Sequence, residues 1–301
     1  MRREKGEDSE FAGNSLGYRA QDHTLLHNLA IVPYLAKVPA TFDPFSTKGP
    51  DEVPLERSPL IRVIVQLRFP PIVSLGRAEF IGPFQEAIRS RYPILRQEQA
   101  AGFVVGPQGL VLQKSDGVVW RFHDKADGWR VSLAPEFIAL ESMVYKDRED
   151  LFERFEQILV ALDAVAKLPV YDRLGVRYIN RIHGPELDKL ASLVRPEVLG
   201  LAVSSVAGLN HSVCESLFVN GEVSLNTRWG RLPPNTTTDP ASMEPIPESS
   251  WVLDLDVFRG VQKDFDTAAI LDDGRMFART IHDFFRWCVT PEFLKVYGQK
   301  P

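Results

Sequence analysis

The stretch Arg173-Leu174-Gly175-Val176-Arg177-Tyr178-Ile179-Asn180-Arg181-Ile182 decides the fold. Apolar residues dominate one set of its alternate positions, and three arginines stand on the other set. A period of two is typical of a β-strand that turns one face to a core and the other away from it. Antiparallel sheets commonly leave one face polar, so the stretch predicts a strand of an antiparallel sheet.

A second strand of the same kind lies earlier in the chain. Residues 61–69 alternate apolar side chains with a set that includes Arg62, Gln66 and Arg68. Pro70 ends this strand, because proline has no backbone N–H to donate to a neighbouring strand. The two arginine-bearing strands therefore predict equivalent positions in two halves of the chain.

Each half continues with the same order of elements. The strand is followed by a helix that ends at a proline, then by short strands, then by a long amphipathic helix. Residues 147–168 and 272–288 are the expected long helices, since their apolar side chains recur at intervals of three and four. Asp147 is the expected N-cap of the first helix, and Asp272-Asp273-Gly274 is the expected start of the second.

Three dipeptides predict the tight turns between strands. Asp116-Gly117, Asp127-Gly128 and Asn220-Gly221 each stand between two runs of β-forming residues. Asn-Gly and Asp-Gly suit hairpin turns because these residues accept a positive φ. Hairpins thus outnumber strand-helix-strand crossovers, which disfavours a doubly wound parallel fold.

Together these patterns predict an α+β protein built from two pseudo-repeated β-α-β(3–4)-α units. The units are expected to form one curved antiparallel sheet with helices on one face. The expected repeats are residues 58–169 and 170–301. An extension over residues 1–57 is rich in charge, Gly, Ser and Pro, so we expect it to be poorly ordered.

Composition excludes several classes of protein. The 301 residues carry a formal net charge of −5 and include two cysteines, Cys214 and Cys288. Such sparse cysteine excludes a disulfide framework and a thiolate zinc site, and it fits a reducing compartment. No apolar run approaches the ~20 residues that are needed to cross a bilayer. The sequence therefore predicts a cytoplasmic protein that does not bind a membrane.

Several stretches of the chain recur in one protein family. They are Pro59–Pro70, Trp120–Phe122, Trp129–Phe137, Leu140-Glu141, Arg173–Ile182, Leu253–Phe258 and the terminal helix with Ile281-His282, Phe285 and Thr290. Over residues 58–298 the chain resembles a sporadically distributed, uncharacterised bacterial family. The Gly-Val-Arg-Tyr-Ile-Asn-Arg-Ile motif at Gly175–Ile182 is its most specific feature. The resemblance implies a bacterial protein of roughly 250 residues without an assigned reaction, and the patchy distribution implies an accessory role such as defence or a toxin–antitoxin module.

Arginines on the polar side of the two equivalent strands form the candidate site. In a strand, arginines four positions apart point the same way and stand ~13 Å apart. Guanidinium groups bind carboxylate and phosphate groups through paired hydrogen bonds, so such a row could hold a partner protein or a small anionic ligand. The candidate binding residues are Arg173, Arg177, Asn180, Arg181, Arg62 and Arg68.

A structural interpretation of the same arginines stays open. Asp254 and Asp256 share one face of a predicted strand and Glu141 stands on another, so all three could form ion pairs with the arginines across neighbouring strands. Asp254 and Asp256 are also weak candidates for a metal site. A nucleic-acid surface is disfavoured, because Trp120 and Tyr178 alternate away from the arginines beside them and the net charge is negative.

The sequence has no Walker loop and no dinucleotide fingerprint, and no cofactor is predicted. No catalytic residue is predicted either. His183 is the best single candidate for acid–base work, but an ordinary surface histidine is the favoured explanation for it. The sequence favours a non-enzymatic binding or regulatory protein. The alternatives are a metal-dependent enzyme acting on a phosphate ester or nucleotide, and a nucleic-acid binder. The oligomeric state is left open.

Overall fold

The structure is a computed structural model, and it describes residues 42–46, 54–106, 109–203 and 208–299, with the backbone alone for residues 100–116. The elements of the first half are β1 (Leu60–Arg68), α1 (Ala78–Ile88), β2 (Ile94–Gly106), β3 (Gly109–His123), β4 (Trp129–Ala134), β5 (Phe137–Ser142) and α2 (Arg148–Ala166). Those of the second half are β6 (Val170–Tyr171), β7 (Arg173–His183), α3 (Leu190–Leu193), β8 (Ser212–Asn220), β9 (Val223–Leu232), β10 (Ser250–Arg259), β11 (Lys263–Asp264), α4 (Thr267–Cys288) and α5 (Pro291–Val296). Short 3-10 turns cover Val73–Gly76, Gly184–Lys189, Pro196–Val198 and Gly200–Val203.

Nine strands form one sheet in the order β2-β3-β4-β5-β1-β7-β10-β9-β8. Every neighbouring pair in it is antiparallel. The two arginine-bearing strands lie side by side near the middle, where Val65 of β1 is opposite Val176 of β7. The α+β class with a large antiparallel sheet is therefore confirmed.

One face of this sheet shares its hydrophobic core with the helices. Val65, Val176 and Leu255 on the central strands are fully buried, and they belong to the same core as Phe155 of α2 and Phe277 of α4. Burying one such side chain stabilises a fold by about 1.5–3 kcal/mol, so the alternating apolar positions fix which face turns inward. We call the opposite face the arginine face. It is defined by Arg62, Arg68, Arg130, Glu141, Arg173, Arg177, Arg181, Arg228, Asp254 and Asp256.

Two of the three predicted tight turns are confirmed. Asp127 has a φ of 56° between β3 and β4, and Gly221 has a φ of 59° between β8 and β9. The prediction of a turn at Asp116-Gly117 is wrong, because both residues lie inside β3. The register of β2 against β3 shifts between Gln99 and Ala101, opposite this dipeptide. A β-bulge accepts the same residues as a turn, which explains the error.

The long helices are present, with one corrected boundary. The Asp147 carboxylate accepts a bond of 2.8 Å from the Asp150 backbone N–H, which confirms the predicted N-cap of α2. Helix α4 begins before Asp272-Asp273-Gly274, since Asp266 caps it by accepting from the Ala269 backbone N–H at 2.8 Å. Those three residues lie inside the helix, and their acidic character misled the prediction.

The long loop between β9 and β10, residues 233–249, packs against part of the arginine face. Its Met243 is buried in a small apolar cluster with Ile179 of β7, Leu232 of β9 and Val252 of β10. This loop therefore covers one end of the second half's strands and brings polar groups to the arginines there. None of the helices in the described ranges is long and apolar enough to cross a membrane.

Candidate functional site

Arg177 lies at the centre of an ion-pair cluster in the second half. Its Nε and Nη2 donate to the two carboxylate oxygens of Asp254 at 2.7 and 2.6 Å. Its Nη1 donates to Asp239 at 2.7 Å. Asp254 is on the neighbouring strand β10, and Asp239 comes from the loop between β9 and β10. The guanidinium group is thus held by two carboxylates, one of them in a bidentate pair.

Because this cluster is largely buried, the charges of its members depend on one another. Desolvation acts against the charge of Arg177, but the bonds to Asp254 and Asp239 prevail and raise the pKa of Arg177 above its ordinary value. Burial likewise acts to raise the pKa of Asp239, and the Arg177 guanidinium reverses this and holds that pKa below its usual range. Each group therefore keeps its charge because the other is present.

Arg173 forms a second pair beside the first. It donates to Asp256 of β10 at 2.9 Å and lies over the Phe258 ring, 4.7 Å from its centroid. Burial raises the pKa of Asp256 above its ordinary value although Arg173 and Arg177 oppose the change. The bond to Arg173 therefore compensates only part of the cost of removing this carboxylate from water.

Arg181 and Asn180 lie on opposite faces of β7. Arg181 is 6% exposed and donates to the Glu244 backbone carbonyl at 2.7 Å, while burial lowers its pKa. Asn180 belongs to the alternate set of β7 that faces the helices, where its amide donates to the Leu253 carbonyl at 3.4 Å. The structure therefore does not bring Asn180 to the arginine face with the other candidate residues.

A comparable cluster surrounds Glu141 in the first half. Arg130 of β4 donates two bonds to its carboxylate, at 2.5 and 3.2 Å, and Arg62 of β1 donates one at 3.1 Å. Arg121 of β3 reaches it at 3.5 Å, and the Ser132 hydroxyl donates at 3.2 Å. Burial acts to raise the pKa of Glu141, but the surrounding guanidinium groups reverse this and lower it.

The sequence prediction included Arg62 but not Arg121 or Arg130. Their signal was present, because each arginine stands on an alternate position of a strand next to one that carries Glu141 or Ser132. Strand order was the missing information, since the cluster draws on β1, β3, β4 and β5 together. The ion pairing that the sequence left open is thus present for Arg62, Arg173 and Arg177.

Among the candidate arginines, Arg68 is the one whose side chain is exposed. It is exposed at the end of β1, opposite Arg173 of β7 and Phe137 of β5. Within the described part of the chain, no carboxylate forms an ion pair with it. Its guanidinium group is therefore available to a partner molecule.

Two polar cavities open between these side chains. One of about 140 Å³ is lined by Arg177, Asn226, Arg228, Asp239, Asp254 and Asp256. The other, of about 200 Å³, is lined by residues that include Arg62, Arg96, His123, Arg130, Glu141 and Glu244. Both cavities mix guanidinium and carboxylate groups, so neither is a uniformly basic or acidic site.

In the structure, each candidate metal ligand lies beside an arginine, and the candidate acid–base histidine lies beside a carboxylate. Asp254 and Asp256 are each bonded to an arginine. Among the residues that the structure describes, no group of three or more His, Cys, Asp or Glu side chains is arranged to hold a metal ion. His183 is half-exposed and its Nδ1 lies 2.9 Å from the Glu248 carboxylate, a surface contact of the kind that any exposed histidine can form.

Some sequence features lie outside the described residues. They include His23 and His27, whose spacing of four could suit a metal on a helix. They also include Gly13-Asn14-Ser15-Leu16-Gly17, which has the letters of a Gly-x-Ser-x-Gly nucleophile motif.

Comparison with known proteins assigns the chain to no family. No protein-family model and no curated protein sequence matches it.

Proposed function

We propose that this is a non-enzymatic binding or regulatory protein that holds a protein partner on its arginine face. The observation that carries the proposal is the presence of two separate clusters, around Glu141 and Asp254, in which several strands fix charged groups of both signs. Surfaces of preorganised, mixed charge recognise a partner by electrostatic complementarity, which gives specificity and a fast association rate.

The arginines retain donors for such a partner. A guanidinium group has five N–H donors, and a bidentate carboxylate occupies two of them. Arg130 and Arg228 are about a quarter to a third exposed, at 25% and 30%, although both are paired. Arg68 and Arg96 are more exposed and extend the same face. At Arg130 and Arg228 a partner would thus meet fixed donors without having to order them first.

The charge balance favours a protein over a nucleic acid. A phosphate backbone needs a surface with excess positive charge, and its binding weakens steeply with salt. Here each arginine cluster contains carboxylates, and the whole chain has a net charge of −5. The same proposal includes membership of the bacterial family that the sequence resembles. It also includes a cytoplasmic location and an accessory role in a defence or toxin–antitoxin type of module.

The proposal includes an internal duplication in a curved sheet. It is supported by the strand order, in which each half begins at the centre with β1 or β7 and then runs from the outer edge back inward. In each half the strand next to the central one carries the clustered carboxylate, Glu141 on β5 and Asp254 on β10. Both carboxylates are bonded by an arginine from the central strand, Arg62 or Arg177.

Charge reversal at exposed positions tests the proposal. The double substitution Arg68→Glu with Arg96→Glu changes two exposed side chains of the arginine face and leaves both buried clusters intact. We expect this bait to capture about tenfold less of the partner from a lysate of the producing cells, because charged rim residues govern association. Arg89→Glu, 64% exposed at the end of α1, is the matched control and should leave capture unchanged.

A parallel measurement separates a protein partner from a small anion. Thermal melting with inorganic phosphate and with ATP should leave the wild-type midpoint unchanged if the partner is a protein. A midpoint that rises with either anion, and no longer rises in the Arg68/Arg96 variant, would assign the face to a small anionic ligand. Equal capture by wild type and variant would contradict binding at this face altogether.

A further inference from the structure

Strand β8 is an edge of the nine-stranded sheet. It pairs with β9 in an unbroken register from Ser212 opposite Arg231 to Asn220 opposite Val223. Among the strands that the structure describes, β9 is its one neighbour. Alternate backbone N–H and C=O groups therefore point away from the sheet along a nine-residue strand. Such a row is a template for one more strand.

The opposite edge of the same sheet has features that block the addition of a strand, and β8 lacks them. Strand β2 carries Arg96 and Glu98 on its exposed part and a register shift between Gln99 and Ala101. Charged side chains and bulges are the usual devices that prevent edge pairing. Strand β8 contains no lysine, arginine, proline or register shift, and Glu215 is its one charged residue. That charge is already paired with Arg228 at 3.2 Å.

Both faces of β8 expose apolar side chains. Val213, Leu217 and Val219 lie on the side of the arginine face and are 39%, 59% and 63% exposed. Phe218 lies on the other side, 37% exposed, with its ring 5.4 Å from that of Phe284 in α4. An additional strand would cover these side chains as well as bond the free backbone groups.

We propose that β8 pairs with β8 of a second copy of this chain, antiparallel and about a two-fold axis at Ser216. In this register Val213 is opposite Val219 of the second copy, and Val219 is opposite Val213. Glu215 is opposite Leu217 of the second copy, so the like charges are not placed directly against each other. The strand is therefore complementary to its own reverse, which is the requirement for a symmetric interface. The pairing joins two sheets into one and makes the two arginine faces continuous.

Sedimentation velocity on the full chain tests the interface. At about 50 μM we expect a species with twice the mass of one chain, which is 33.9 kDa. Leu217→Lys with Val219→Lys should weaken dimerisation by about 100-fold or more, because a charged edge resists pairing. Val160→Lys is the matched control, since Val160 is 57% exposed on α2 and should leave the dimer intact. Circular dichroism verifies that each variant is folded.

A disulfide tests the register. Ser216→Cys in a Cys214→Ser background places one thiol at the axis, next to its copy, and should form a covalent dimer on mild oxidation. Val160→Cys in the same background should not. A monomeric wild type, or a dimer that persists in the double-lysine variant, would overturn the proposal. In a monomeric wild type, slow exchange of the β8 amides with solvent would show that another segment covers the edge. None of these results depends on the charge-reversal experiment at Arg68 and Arg96.

Discussion

Arg177 and Arg68 share one face of the sheet and differ in what surrounds them. Arg177 is 19% exposed in its side chain and bonded to Asp254 and Asp239, whereas Arg68 is exposed. Arg177→Ala should lower the free energy of unfolding by about 3 kcal/mol, because it leaves buried carboxylates without a counterion. Arg68→Ala should change that free energy by about 0.5 kcal/mol or less.

Urea denaturation at neutral pH, followed by far-UV circular dichroism, measures both changes. Equal and small losses would mean that the ion pairs of Arg177 contribute little to stability. The double substitution Arg177→Ala with Asp254→Ala adds a control. It should be less destabilising than the sum of the two single substitutions, since removing both partners leaves fewer unpaired charges.

At this scale the sequence predicted which residues would face each other only in part. Alternation along β7 correctly separates Arg177 from Tyr178. The prediction nevertheless counted Asn180 among the binding residues, although it stands in the alternate set with Tyr178 and is buried. What alternation cannot supply is a partner from a distant loop. Asp239 lies 62 positions from Arg177 in the chain, and only the path of residues 233–249 brings it to the guanidinium group.

Two helical glycines give a matched test of how the helices pack. A Cβ added at Gly274 of α4 would stand 2.5 Å from the Phe152 ring of α2, which is fully buried. A Cβ added at Gly82 of α1 would meet nothing within 4 Å. Gly274→Ala should therefore destabilise the protein by about 1–3 kcal/mol through overpacking. Gly82→Ala should stabilise it by about 0.5–1 kcal/mol, because alanine favours the helix.

Thermal and urea unfolding of the two variants measure these opposite signs. If Gly274→Ala also stabilised the protein, the close approach of α2 and α4 at Phe152 would be wrong. The comparison is informative because both substitutions add the same methyl group to a helix interior. Only the surroundings of the added group differ.

Elements were predicted well where a local signal decides them. Strands β1 and β7 follow their period of two, and the turns at Asp127 and Gly221 follow from residues that accept positive φ. Errors arose where one local signal has two structural meanings. Asp-Gly serves a bulge in β3 as well as a turn, and an acidic pair serves the interior of α4 as well as its start.

The pairing of β1 with β7 links the unfolding of the two halves of the chain. These strands pair from Leu60 opposite Asn180 to Arg68 opposite Arg173, and the apolar side chains that they turn toward the helices belong to one core. If one expected repeat, 58–169 or 170–301, unfolded while the other stayed folded, the folded one would lose this ladder. The free energy of opening either half therefore includes the loss of the shared ladder and of the contact between α2 and α4.

We accordingly expect both halves of the described sheet to unfold in one cooperative step. Hydrogen exchange followed by mass spectrometry at rising denaturant compares peptides from α2 with peptides from α4. Their opening free energies should converge on the same value, because amides that open only by global unfolding share one free energy. Gly274→Ala provides the internal control, since a shared core must transmit its destabilisation to α2 peptides as fully as to α4 peptides. If α4 alone became less protected, the halves would be independent folding units that merely share a sheet edge.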